Sequence, residues 1–359
     1  MKITAIHTKN VGPIDDGIIS LINDWSEEVE DKVLFTGPNG CGKSTLLCAV
    51  AMLWEAAGHW LDRRKILPIK HEARVWLKDW AGTAVIFDCI DPFYPHPVGL
   101  IFGKQKFINH VKLQHPNAIW LGEEVTVKIA KISRNRIITR KLMIPEDSGF
   151  ELWAESRKKM LLSHDKVEGP NITYLDAEAR RWVTPTRNLA EPTADDLSQR
   201  WLTKYEVSDD WKGQLEASLI TLKVTQLRRF HKVVKTLNRF LTDKAIDTDI
   251  KPGEDRLRVK IAGKRTSHSM DKLSAGEHQI LILIYLISRW MQPGGIVLID
   301  EPDMFLHPSL VKPLLARLEK LVAENGGQLI ITSHATDVWK RYENHGLRFK
   351  LNDTEAAIA

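Results

Sequence analysis

The chain has 359 residues, a formal net charge of +5, 43% hydrophobic and 27% charged residues. That balance fits a folded protein with a substantial core and excludes a disordered or collagen-like chain, while the mild charge says little about partners. Three cysteines (Cys41, Cys48 and Cys89) form neither a disulfide framework nor a zinc spacing, and no apolar run approaches a membrane span or a signal peptide, so the expected location is the cytoplasm.

The opening, Lys2 to Lys9, reads as a strand that closes at the Gly12-Pro13 turn. Lys32 to Thr36 reads as a second strand, and an apolar helix follows from about Ser44 to Gly58. Between them lies Gly37-Pro38-Asn39-Gly40-Cys41-Gly42-Lys43-Ser44-Thr45, which satisfies G-x-x-x-x-G-K-[ST] in the strand-to-helix setting that motif requires. Glycines let the backbone N–H groups wrap phosphate oxygens, and the helix N-terminus adds positive potential. Lys43 is then expected to reach the outer phosphates of ATP and the Ser44 hydroxyl to ligand Mg²⁺.

The middle reads as β-rich, with strands at Thr83–Ile90, Val98–Phe102, Glu124–Ile132 and Arg136–Ile144, the last two forming a hairpin around Ser133-Arg134-Asn135. Pro145 to Asp210 reads as irregular and polar, with a short strand at Ile172–Asp176 and a loop at Thr184–Asp196. One long amphipathic helix is expected over Lys212–Asp243, its apolar side carrying Leu227, Phe230, Val234, Leu237 and Leu241. Strand-helix alternation then returns: Ile296–Ile299, a helix over Leu310–Asn325, and Gln328–Thr332.

Three further segments carry candidate chemistry. Ile296 to Ile299 is a buried strand delivering Asp300 and Glu301 at its carboxyl end, where Asp300 is expected to hold Mg²⁺ through water and Glu301 to deprotonate an attacking water. Leu273-Ser274-Ala275-Gly276-Glu277 opens the apolar run Ile280–Ile287; alone it is a helix N-cap with a small-residue turn. Leu329 to His334 is a strand ending in a histidine.

In this order the four segments resemble the motifs of ABC-class ATPases. The resemblance implies that Ser274 and Gly276 contact the γ-phosphate of ATP bound by an opposing protomer, and that His334 senses that phosphate. Ala275 stands where the family usually has glycine and Glu277 where it has glutamine, as in the SMC and RecF-like branch. Asp300-Glu301-Pro302-Asp303-Met304-Phe305-Leu306-His307-Pro308 departs from the transporter pattern. With Asn10-Val11-Gly12-Pro13-Ile14 and Ala177-Glu178-Ala179-Arg180, it is similar to the OLD (overcoming lysogenisation defect) ATPases.

The fold implied is α/β: a P-loop NTPase of the ABC ATPase head type. It combines a mixed-sheet core, an antiparallel β subdomain and an inserted helical subdomain. Residues 1–144 and 271–359 are expected to form the ATPase core and 145–270 a mainly helical lobe leading to the signature motif. The family's Q-loop has candidates in Asp176–Arg180, Gln105 and Gln114.

OLD nucleases carry a Toprim domain after the ATPase, whereas 25 residues follow His334 here. The expectation is therefore an ATPase that forms a homodimer or higher oligomer through an ATP sandwich and controls a separate effector in bacterial antiviral defence. The alternative is a RecF-like repair or recombination ATPase that binds DNA directly; a transporter subunit, and with it any membrane partner, is set aside. Six Lys/Arg and no acid occur both in Ala217–Thr242 and in Val125–Ile144. In the first, Arg228, Lys232, Lys235 and Arg239 form a stripe opposite the apolar one, suited to nucleic-acid phosphates or to plain solvent. Twelve tryptophans are many for this length; Trp54, Trp60, Trp76 and Trp80 read as core more than as a partner surface, and His110 and His115 lack partners at metal spacing.

Overall fold

The structure is a computed structural model describing residues 1–129, 136–165, 167–183, 196–205, 215–249 and 256–352. In chain order, β1 (Ile3–Lys9), β2 (Gly17–Ser20) and β3 (Lys32–Thr36) lead into α1 (Lys43–Arg63) and the short α2 (Glu72–Leu77). Next come β4 (Gly82–Phe87), β5 (Val98–Lys104), α3 (Gln105–Gln114), β6 (Ile119–Ile129), β7 (Arg136–Met143) and α4 (Ser148–Leu162). The chain continues through β8 (Ile172–Leu175), β9 (Leu202–Thr203), α5 (Leu215–Thr225), α6 (Leu227–Leu237), and β10 to β12 (Lys244–Ile246, Arg258–Ile261, Ser267–Ser269). It closes with α7 (Ala275–Trp290), β13 (Ile296–Ile299), α8 (Pro308–Glu324), β14 (Gln328–Thr332), α9 (Thr336–His345) and β15 (Leu347–Lys350).

Six strands form an all-parallel sheet in the order β15-β3-β14-β13-β8-β9. Its strands are apolar almost throughout, as expected when both faces are covered. The pleat sends alternate residues to opposite sides. Val33, Phe35, Ile296, Leu298 and Ile330 join one core, whereas Leu34, Val297, Ile299, Leu329 and Ile331 join another. The first core lies between this sheet and a second one, β2-β1-β4-β5-β6-β7, antiparallel except at β5–β6. Helix α1 contributes to that core through Leu46, Leu47, Val50, Leu53, Trp54, Ala57 and Trp60, so it is apolar nearly all round. The second core holds the apolar faces of α5 to α8. Strands β10 to β12 form a separate antiparallel sheet.

Three expectations change. Residues 148–162 are not irregular: Asp147 caps α4 by accepting from the Gly149 N–H at 2.7 Å, and Phe150, Trp153, Ala154, Arg157 and Met160 follow at helical spacing. Their face is buried because Arg157 pairs with Asp62 and lies over the Trp201 ring, which hides a polar residue in an apolar stripe. The single helix over Lys212–Asp243 is two, broken at Gln226, whose φ of −143° is extended. Strands β8 and β9, inside the stretch assigned to a helical lobe, belong to the central parallel sheet. The turn at Ser133-Arg134-Asn135 and most of the Thr184–Asp196 loop lie outside the described residues.

Candidate nucleotide site

The loop between β3 and α1 sits where the strand's carboxyl end meets a helix N-terminus, so its free N–H groups and the helix dipole converge on one point. Gly42 takes φ +97°, and a Cβ there would lie 2.4 Å from Ile14 Cγ1, so the loop after β1 presses on the turn and only glycine fits. The Lys43 ammonium is buried and donates to the carbonyls of Gly37 at 3.1 Å and Pro38 at 3.0 Å. Pro38, Asn39, Gly40 and Ser44 are exposed; Gly37 and Thr45 are half-buried, and Cys41 is buried.

Strand β14 lies between β3 and β13, and their registers bring all three carboxyl ends level: Thr332 faces Phe35, and Ile331 faces Ile299. Asp300 and Glu301 therefore emerge two strands over from the P-loop strand, with β14 between. The Thr332 hydroxyl ties the two acids together, donating to Asp300 Oδ1 at 2.5 Å and accepting from the Glu301 N–H at 2.9 Å. Glu301 sits at φ +45°, a conformation uncommon for a non-glycine residue. His334, just beyond β14, places Nε2 3.4 Å from Glu301 Oε1, and both side chains are about one-third exposed. Burial raises the Asp303 carboxyl above its ordinary range, against a hydrogen bond from Ser333, and its Oδ1 has no partner among the described residues.

Arg180, at the end of the β8 turn, was read as part of a family-like stretch that is also a Q-loop candidate, and it is buried at the centre of this cluster. Its Nη2 donates to the Glu301 carbonyl at 2.9 Å, Nη1 to the Leu175 carbonyl at 2.7 Å and Nε to Gln279 Oε1 at 3.0 Å. Desolvation pulls its pKa down to about 10, opposed by Asp300, Asp176, Glu301 and Asp303. Neither Thr332 nor Gln279 stood out in the sequence, because Thr at the end of an apolar strand and Gln inside an apolar helix carry no spacing signal.

The signature-like residues lie at the start of α7. Ser274 is exposed and forms a capping box: its hydroxyl accepts from the Glu277 N–H at 3.3 Å, and Glu277 accepts from the Ser274 N–H at 2.7 Å. Glu277 also pairs with Lys244 at 2.8 Å. A Cβ on Gly276 would lie 2.9 Å from the Phe305 carbonyl, so the acid-bearing loop and the head of α7 approach at backbone distance. Ser274 makes its side-chain bond within its own helix cap and none to the P-loop. Of the Q-loop candidates, Asp176 is at the end of β8 beside Asp300, whereas Gln105 and Gln114 are exposed at the two ends of α3, on the antiparallel sheet.

Mg²⁺ fits the oxygen donors present. Asp300 keeps Oδ2 beyond its bond to Thr332, and the Ser44 hydroxyl is exposed in the first turn of α1. Among the described residues no group of three or more His, Cys, Asp or Glu is placed to hold a metal. That set suits a hard ion that keeps several waters and leans on substrate phosphates rather than on an all-protein cage. Trp54 and Trp60 are fully buried, and Trp54 stacks on Trp201 at 4.4 Å; Trp76 and Trp80 are half-buried in a cleft of about 610 Å³ beside α1. His115 bonds His7 at 2.8 Å, and no described helix is long and apolar enough to cross a membrane.

Residues 161–336 match the family described as "AAA domain, putative AbiEii toxin, Type IV TA system". The chain is 27% identical to a protein of Escherichia coli named "Retron Ec83 probable ATPase", over 94% of this chain and 69% of that one. An SMC head, solved bound to the C-winged helix domain of ScpA, aligns at 13% identity and a TM-score of 0.42, over 93% of this chain and 89% of that one. With its glycine-rich loop and paired acids at the carboxyl ends of two strands that flank β14 in a parallel sheet, the chain has the P-loop NTPase fold.

Proposed function

We propose that this chain is an ABC-type, ATP-hydrolysing regulatory ATPase of the OLD-like branch. Its ATP-dependent self-association would control a separate effector, in the setting of antiviral defence. The observation that carries the hydrolytic part is the Glu301–His334 pair at 3.4 Å, at the ends of β13 and β14 in the sheet that holds the P-loop strand, beside a buried Asp300. Glu301 would take the proton of the attacking water, His334 would hold the γ-phosphate side of the site, Lys43 would neutralise the outer phosphates, and Asp300 with Ser44 would hold Mg²⁺. Magnesium supplies charge neutralisation on the phosphates when bound.

Self-association is supported by the exposure of Ser274 and Ala275 at a helix N-terminus, a ready anion site facing away from the chain's own fold. The defence setting is supported by the retron-associated name of the E. coli relative. In this reading residues 1–144 and 271–359 carry the ATPase core, extended by β8 and β9, and the rest of 145–270 presents α7.

Lys43→Ala is expected to lose ATP binding, and Glu301→Gln to keep ATP, slow turnover by about a hundredfold or more, and accumulate the associated form. Equilibrium nucleotide binding, phosphate release and light scattering read these out. Wild-type turnover in Glu301→Gln removes Glu301 as the base.

A second reading, direct DNA contact as in a RecF-like ATPase, is favoured by α6: Arg228, Lys232 and Lys235 on it, and Arg239 just after it, are all exposed. Reversing these four charges is expected to flatten the log affinity–log salt slope by about 0.9 per lost phosphate contact. An unchanged slope in a DNA titration takes the stripe out of the reading.

A further inference from the structure

One buried cation joins the two parts of the candidate site that come from opposite ends of the composite motif. We propose that Arg180 is a positioning residue, a strut through which displacement of the signature helix α7 sets the placement of the base Glu301. The proposal rests on the ATPase reading above and adds to it a coupling route inside one protomer.

The geometry is specific. A guanidinium offers its donors in a fixed planar fork, so bonding three oxygens at once fixes their relative positions. Here the three belong to separate elements: the Gln279 side chain on α7, the Leu175 carbonyl at the end of β8, and the Glu301 carbonyl beyond β13. Gln279 closes the link by donating its amide back to the Arg180 carbonyl. Among the described residues the fork bonds only carbonyl and amide oxygens, although Asp300, Asp176, Glu301 and Asp303 all act on it electrostatically. The side chain spends its directional bonds on position and its charge on the surrounding acids.

Two details show why the strut would matter. Glu301 occupies a left-handed backbone conformation at φ +45°, which persists only where neighbours hold it, and its carbonyl is held by Arg180 while its N–H is held by Thr332. Gln279 lies five residues after Ser274, just over one turn along the same helix. A shift of the α7 N-terminus when Ser274 meets phosphate therefore reaches Gln279 as a rigid movement, passes through one side chain, and arrives at the backbone of the base. Gly276 against the Phe305 carbonyl is a second contact between the same two elements, and it transmits push but no pull.

The test separates positioning from simple stability. Arg180→Met leaves buried oxygens unpaired and risks unfolding, so Arg180→Lys and Gln279→Leu are made beside it, with the double variant Arg180→Lys/Gln279→Leu. Steady-state turnover, ATP binding at equilibrium and thermal melting are measured on each. Folded Arg180→Lys and Gln279→Leu are each expected to lose roughly tenfold in kcat with ATP affinity within about twofold of wild type, and the double variant to lose no more than the worse single one. Additive losses, or wild-type kcat in folded Gln279→Leu, overturn the strut. Failure of the wild-type chain itself to bind or turn over ATP refutes the underlying ATPase reading and the strut with it, a result distinct from normal wild-type turnover that is insensitive to Gln279.

Discussion

Thr332 carries one hydroxyl between two acids for which different tasks are proposed. By donating to Asp300 it leaves that carboxylate one free oxygen, and by accepting from the Glu301 N–H it satisfies a donor that the tight turn after β13 orphans. Thr332→Val keeps the shape and removes both bonds, so a buried carboxylate oxygen and a backbone N–H lose their partner. The expected cost is about 1–3 kcal/mol of stability, read by denaturant unfolding, together with a fall in turnover larger than the fall in ATP affinity. A variant as stable and as active as wild type shows that water replaces the hydroxyl. The residues of the P-loop, Asp300, Glu301 and His334 were legible in the sequence because each stands at a fixed offset from an apolar strand. Thr332, Arg180 and Gln279 were not assigned roles, because their partners come from 31, 121 and 99 residues away and no local pattern announces them.

At the scale of elements, α7 begins with its polar groups committed. Burial pushes the Glu277 carboxyl upward, but Lys244 and the N–H and hydroxyl of Ser274 outweigh it and hold it below its ordinary value of 4.5. A depressed carboxylate contributes stability that is present above its unfolded pKa and lost as pH falls through the folded one. Glu277→Gln is therefore expected to melt below wild type at neutral pH, with the gap closing as pH drops below about 4.5, in thermal scans across that range. A gap independent of pH assigns the loss to shape rather than charge. The apolar run Ile280–Ile287 and the N-cap before it were visible in the sequence, and α7, capped by Ser274, spans Ala275–Trp290. The break between α5 and α6 was missed. Apolar spacing continues across Gln226, and the second helix, starting at Leu227, turns its own face to the same core.

For the whole molecule, the strands lining the candidate site were read nearly to the residue: Lys32–Thr36, Ile296–Ile299 and Gln328–Thr332 are strands as expected. Buried parallel strands are continuous apolar runs, which sequence reveals well. Their order in the sheet is a different matter, since β8 and β9 enter it from a stretch whose composition is polar. What joins the edge at β9 to the P-loop helix is aromatic: Trp54 and Trp201 stack at 4.4 Å and exchange indole N–H bonds with each other's carbonyls at 2.9 and 3.2 Å. Each ring satisfies its polar edge while burying its faces, so a pair 147 residues apart acts as one packing unit.

The place of β3 in the parallel sheet has a bearing on how the chain is made. Both flanking strands, β14 and β15, are translated long after it, and Thr36 meets Phe349 across a separation of 313 residues. A nascent polypeptide emerging from the ribosome thus exposes its phosphate-cradling turn early, with the strand beneath it unpaired on either side. That turn is braced only once β14 and β15 have been made and have paired with β3 on both sides.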